Sequence, residues 1–218
     1  AQNGDTAFWD KLQQTGYETV STEVFAKMAD TQTPQGILTV LEQPVYDLTQ
    51  LLEQPDPLFL MLENLQDPGN LGTMIRTGEG AGITGVIMNN QTVDIFNPKT
   101  IRATMGSIFR VPFVYVPDLA PVLEQMHAKG IHTYAAHLKG QEYYDSFSFR
   151  EPTAFLIGNE GNGLSKEISD QAGQYLKIPM EGRVESLNAS IAAALLMYEA
   201  HRQRSARPVS YTHLTLPT

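Results

Sequence analysis

Four apolar residues, Ala154-Phe155-Leu156-Ile157, run into a loop with three glycines in six positions, Gly158-Asn159-Glu160-Gly161-Asn162-Gly163. A short apolar run bounded by turn signals fits a strand buried on both faces, and such strands belong to parallel sheets covered by helices. The glycines let the backbone turn sharply and approach a ligand closely. Taken alone, the loop is equally a plain glycine-rich turn. The spacing Gly158, Gly161, Gly163 reverses the gaps of a dinucleotide fingerprint, and no Lys-Ser or Lys-Thr follows Gly163, so a phosphate P-loop is excluded. Glu160 would repel phosphate at that point, which leaves a neutral or cationic ligand as the better fit.

The remainder of the chain keeps the same rhythm. Strands are expected at residues 58–62, 85–88, 111–116, 131–135, 154–157 and 175–178. Helices are expected at 71–80, 98–107, 119–129, 165–172 and 187–204, with Pro98 well placed in a first turn. Strands alternating with helices indicate an α/β fold with a mostly parallel sheet. Upstream, a helix is expected around Phe8 and Leu12, a capped short helix after Ser21, and a strand at 36–41. Residues 44–56, with Pro44 and Pro55, read as a linker carrying a short helical piece. Residues 209–218 look like translated library adaptor and are left out of the fold argument.

Composition narrows the function. With a net charge of −9 the chain has no overall basic field, so any RNA contact needs a local patch. The absence of Cys excludes disulfides and thiolate metal sites, and the five His lack ligand spacing, so no metal is expected. No apolar run reaches the ~20 residues of a membrane span, and no leader is visible. A reducing, cytoplasmic setting is expected.

Three further stretches hold candidate chemistry. In 64–77, Asn70 stands where a helix N-cap would be, and Arg76 follows six residues on, ~9 Å along a helix. In 96–110, Lys99, Arg102 and Arg110 form a local basic patch suited to phosphate. An ordinary solvated helix face would look the same. In 186–194, Ser186 or Asn188 could cap the last helix, whose Ala189, Ala192, Ala193 and Ala194 allow close packing against a neighbour or a second subunit.

Together and in this order, these motifs resemble the SpoU/TrmH branch of the SPOUT RNA methyltransferases over residues 57–204. The first motif is Asn70-x-Gly72-x-x-x-Arg76-Thr77 and the second Gly158-x-Glu160-Gly161-x-Gly163-x-Ser165. The third runs from Ile178-Pro179-Met180 to Ser186-Leu187-Asn188-Ala189-Ser190, with Ala189 where Val is common. Residues 17–41 resemble the end of a small α/β RNA-binding domain, so residues 1–43 are expected to be the C-terminal part of a truncated domain of that kind.

The resemblance implies a mostly parallel sheet whose C-terminal segment forms a deep trefoil knot, an exception to ordinary connection rules. It implies a homodimer that binds S-adenosylmethionine and methylates a ribose 2′-hydroxyl, in ribosomal RNA (rRNA) more than in tRNA. Arg76, Asn70, Glu160, Ser186 and Asn188 would be catalytic. Leu138, Gly158, Asn159, Gly161, Ile178, Met180, Leu187 and Asn188 would hold the cofactor. Arg76, Lys99, Arg102 and Arg110 would meet RNA. A catalytically silent RNA-binding factor on the same fold is the alternative, and retention of all five catalytic candidates argues against it.

Overall fold

The computed structural model describes residues 6–29, 33–184 and 186–205; the stretch read as adaptor lies outside them. The chain divides into two units, Ala1–Pro44 and Val45–Thr218. The smaller holds α1 (Thr6–Thr15) and α2 (Thr22–Met28). Ser21 caps α2 by accepting the Val24 N–H, as its sequence suggests. The strand expected at 36–41 does not form. Ile37, Leu38, Val40 and Leu41 are exposed, and the segment has no ladder partner among the described residues. β-propensity without a neighbour to pair with does not make a strand.

The larger unit begins with α3 (Leu48–Leu52), within the stretch read as a linker. Leu51 and Leu52 are buried in the core, so this stretch is part of the packed unit. Among the described residues the sheet has six strands: β1 (Leu58–Leu62), β2 (Gly85–Asn89), β3 (Phe113–Val116), β4 (His132–Ala136), β5 (Thr153–Ile157) and β6 (Gln174–Leu176). They are all parallel, in the order β3-β2-β1-β5-β4-β6. Chain order therefore reverses between β1 and β5, the place where open α/β sheets bind ligands beyond the strand C-termini.

Helices cover both faces. Leu58, Leu60 and Leu62 of β1 pack with Leu71, Met74 and Ile75 of α4 (Pro68–Ala81) and Ala193, Leu196 and Met197 of α8 (Ala189–Arg204). Phe59 and Met61 point the other way, to Val122, Leu123 and Met126 of α6 (Ala120–Ala128) and Ile168 of α7 (Lys166–Gln171). This is the two-residue alternation of a strand with both faces buried. Each such large side chain contributes about 1.5–3 kcal/mol of transfer free energy.

Two expected helices differ in detail. The one expected at 98–107 stops as α5 (Pro98–Thr104), because Met105 and Gly106 are both left-handed; a 3-10 turn follows at Ser107–Phe109. Asn70 is not an N-cap. Asp67 caps α4, Pro68 opens it, and the Asn70 N–H donates to the Asp67 carboxylate at 2.8 Å. The Asn70 side chain is thereby free for another task. Gly72 has a packing reason, since a Cβ there would lie 2.5 Å from Ala103 Cβ and 2.7 Å from the Thr100 carbonyl oxygen on α5.

Candidate active site

Leu62 and Ile157 are register partners at the ends of β1 and β5, so the loops that follow leave the sheet side by side. The Glu63 N–H donates to the Ile157 carbonyl at 3.0 Å. Gly158 is buried where the second loop folds back: a Cβ there would sit 2.1 Å from both Gly163 C and Leu164 N. Only glycine fits without moving that backbone. Asn159 and Gly163 exchange backbone hydrogen bonds of 3.0 and 2.9 Å. The Asn159 side chain receives the Gly161 and Asn162 N–H groups and donates to the Asn64 carbonyl at 2.9 Å.

Glu160 is the hub. Its carboxylate accepts the Gln66 N–H at 3.1 Å, the Asp67 N–H at 3.0 Å and the Asn70 Nδ2 at 3.0 Å. Burial opposes its charge, but the hydrogen bonds from Asn70, Asp67 and Gln66 together outweigh burial and hold its pKa below the ordinary value. Asn70 Oδ1 in turn accepts Asn188 Nδ2 at 3.0 Å. Asn188 Oδ1 accepts the Ser190 N–H and hydroxyl at 2.8 and 2.7 Å and so caps α8. One side-chain path thus joins all three motifs: Asn188 to Asn70 to Glu160. Capping and motif linkage are done by the same Asn188 amide.

The other candidate residues stand around this path. Arg76 is exposed on α4 and Ser186 is exposed just ahead of α8; neither side chain bonds another described residue. Lys99 bonds the Asp67 carboxylate at 3.4 Å, and Arg110 forms a two-point pair with Glu79. Arg102 is exposed without a carboxylate partner among the described residues. Two of the three basic-patch residues are therefore already matched with acids.

Leu138 lies on the segment after β4, which is tied to the end of β6. His137 N–H donates to Leu176 O at 3.0 Å, Lys177 N–H to Glu142 O at 3.0 Å, and Tyr144 N–H to Lys177 O at 2.9 Å. Leu138 is nonetheless 62% exposed, while Ile178, Met180 and Leu187 are half-buried.

Several residues here were not singled out in the sequence. Asn64 leaves β1 with φ +55, a left-handed conformation that asparagine tolerates. Its N–H donates to Asn89 Oδ1 at 2.9 Å, and Asn89 Nδ2 returns a 2.8 Å bond to Asn64 Oδ1. Thr92 adds a 2.9 Å bond to the same Asn89 oxygen. The buried Glu63 accepts the Ser165 N–H at 2.7 Å and fastens the far end of the glycine loop. A polar residue closing an apolar strand run was the only signal for Glu63 and Asn89. A cavity of about 300 Å³ beside this loop is bounded by Glu63, Asp118 and Glu167, carboxylates that do not suit RNA phosphate.

Residues 57–198 match the model of the SpoU rRNA methylase family. The chain belongs to that family. Similar proteins include a 23S rRNA (guanosine(2553)-2′-O)-methyltransferase of Bacillus subtilis, 35% identical over 179 residues, covering 82% of this chain and 70% of that protein. Among solved structures, the SpoU methyltransferase AviRb of Streptomyces viridochromogenes, in complex with the cofactor AdoMet, superposes with TM-score 0.83. It is 29% identical over 95% of this chain and 82% of its own. An AdoMet-bound rRNA methyltransferase of Sinorhizobium meliloti gives TM-score 0.78 and 34% identity over 84% of this chain and 70% of its own. The matched residues include the Asn188–Asn70–Glu160 path at the β1/β5 switch point.

Among the described residues, no helix is long and apolar enough to cross a membrane, and no group of His, Cys, Asp and Glu could hold a metal.

Proposed function

We propose that this chain transfers a methyl group from S-adenosylmethionine to a ribose 2′-hydroxyl of structured RNA, with rRNA favoured over tRNA. The observation that carries this reading is the Asn188–Asn70–Glu160 path at the switch point. Membership of the SpoU family and the two AdoMet-bound relatives support it.

The residues present fit that cofactor. Its sulfonium carries a positive charge, and the Asn188–Asn70–Glu160 path offers a carboxylate and amides. Leu138 is an exposed apolar side chain on a segment pinned to the end of β6, suited to serve as a wall for a flat apolar group. Leu138, Ile178, Met180 and Leu187 would enclose the adenosine, with backbone at Gly158, Asn159 and Gly161. When bound, the cofactor supplies an electrophilic methyl carbon. Everything else is positioning, which suits an in-line displacement whose rate depends on alignment.

The protein's own residues would divide the work. Glu160 fixes Asn70 and the head of α4, and so fixes the direction from which Arg76 approaches. Arg76 would hold the neighbouring phosphate and, as a guanidinium donor, stabilise the ribose oxygen while the hydroxyl proton passes to solvent water. A guanidinium donates hydrogen bonds and accepts none, so the part of Arg76 is to polarise the hydroxyl in the assembled complex. Ser186 and Asn188 orient the ribose. Lys99, Arg102 and Arg110 meet the RNA backbone.

The same reading includes a trefoil knot through the segments around 137–144 and 177–188, a homodimer and a cytoplasmic setting. It takes residues 1–43 as part of an RNA-binding domain.

Calorimetry with S-adenosylmethionine tests the site. Saturable binding is expected, weakened about tenfold or more in Leu138→Ala and abolished in Gly158→Ala. Leu138 is exposed, so its variant keeps the fold. A folded wild-type chain that binds no cofactor would leave the silent RNA-binding factor as the better reading.

A further inference from the structure

Two exposed apolar stretches on the α4–α5–α8 side of the sheet differ in their surroundings. On α8, Ile191, Leu195 and Tyr198 are exposed, but the neighbouring Arg202 is paired with Glu199. On α5 and the 3-10 turn, Ile101, Met105 and Phe109 are 38%, 69% and 61% exposed and alternate with Arg102 and Arg110. Arg102 has no carboxylate partner among the described residues. Arg110 is gripped at two nitrogens by Glu79, which fixes the plane of its guanidinium. Gly106, at φ +87, supplies the left-handed turn that leads into this segment. Glu79 stands three residues beyond Arg76 on α4, so the turn bearing Phe109 is moored one helical turn from the arginine of the first motif.

An aromatic ring set among guanidinium groups is the surface on which an unpaired base stacks, while the cations meet the adjoining phosphates. We propose that Phe109, on the turn that follows Arg102 and Met105, is the stacking platform for an unpaired nucleobase close to the methylated ribose. The inference rests on the RNA methyltransferase reading and adds a recognition residue to it. Single-stranded RNA is the occupant that uses both features of the patch, flat apolar faces and an unmatched cation. The α8 stretch, with its charge already neutralised, offers only the first.

The test is fluorescence anisotropy of the full chain with two RNAs, a hairpin with an unpaired adenosine-rich loop and a fully paired duplex of the same length. Wild type is expected to prefer the hairpin. Phe109→Ala should weaken hairpin binding roughly fivefold or more, the scale of one lost base stack, and leave duplex binding unchanged. It should also leave the salt dependence unchanged, because no phosphate contact is lost. Phe109→Tyr should restore hairpin binding. Arg102→Ala should weaken both RNAs and reduce the salt slope by about one. Unchanged cofactor affinity in Phe109→Ala establishes that the fold is intact. Equal hairpin binding by wild type and Phe109→Ala overturns the platform alone. A wild type that binds neither RNA overturns the platform and the methyltransferase reading together. A Phe109→Ala protein that sediments as a monomer beside a dimeric wild type makes the patch a subunit contact.

Discussion

The two ends of the sheet are closed in opposite ways. At the strand C-termini an anion, Glu160, collects N–H groups from the loop after β1 and the head of α4. At the strand N-termini a cation, Arg204, gives its N–H groups to the carbonyls of Phe149, Asp56, Pro57 and Glu151, at 2.8, 2.8, 3.3 and 2.6 Å. Gln203 adds to that lower closure, accepting the Phe149 N–H at 2.7 Å and donating to Phe147 O at 2.9 Å. One helix serves both ends, since Asn188 heads α8 and Arg204 ends it. The lower end is finished: Arg204 donates to four carbonyls and is half-buried. The upper end keeps Arg76 and Ser186 exposed and unbonded among the described residues. One end is tied by a half-buried arginine, and the other presents exposed side chains around a carboxylate hub.

Substitutions can break or sharpen this contrast. The largest effect is expected from Arg204→Ala, which removes several charge-assisted bonds to carbonyls. It should lose about 3 kcal/mol in chemical denaturation while the folded protein keeps its cofactor affinity. A denaturation midpoint like that of wild type would break the comparison at its lower end. Next comes Arg76→Lys. Methyl transfer to rRNA should fall about a hundredfold, with stability within about 0.5 kcal/mol of wild type, because Arg76 is exposed. Undiminished transfer would remove Arg76 from the mechanism.

Glu160→Gln should slow transfer about tenfold by loosening the Asn70 contact, measured in single turnovers with saturating cofactor. A smaller, sharper signature lies in pH. The folded pKa of Glu160 is held below the ordinary glutamate value of about 4.5 by hydrogen bonds that outweigh burial. Its contribution to stability is therefore present above about pH 4.5 and lost as pH falls through the lower folded value. Wild type should lose more stability than Glu160→Gln as the solution is acidified below that point. Parallel acid titrations of the two proteins would show that Glu160 carries no special charge.

Much of this was legible in the sequence. The apolar run at 58–62 became β1 with those bounds, Ser21 caps α2 as its position suggests, and of the two candidates Ser186 and Asn188 it is Asn188 that caps α8. Local chemistry decides such features, so a local reading finds them. The strand expected at 36–41 failed because pairing is not local. The role of Asn70 was misplaced because Asp67 and Pro68, three and two residues earlier, start α4 first. The Glu160 hub joins residues 90 and more positions apart. Only the placing of β5 beside β1 creates it, and no sequence spacing encodes that neighbourhood. Asn64 and Asn89 stayed hidden for the same reason, since their reciprocal bonds need β1 and β2 in register.

The most direct test of the open upper end is to incubate the full chain with S-adenosylmethionine carrying a labelled methyl group and unmodified rRNA, digest the RNA, and identify the labelled nucleoside. A 2′-O-methylated ribose, absent with Arg76→Lys, is the predicted result. Label on a base, or none in RNA from a chain that binds the cofactor, would contradict the account.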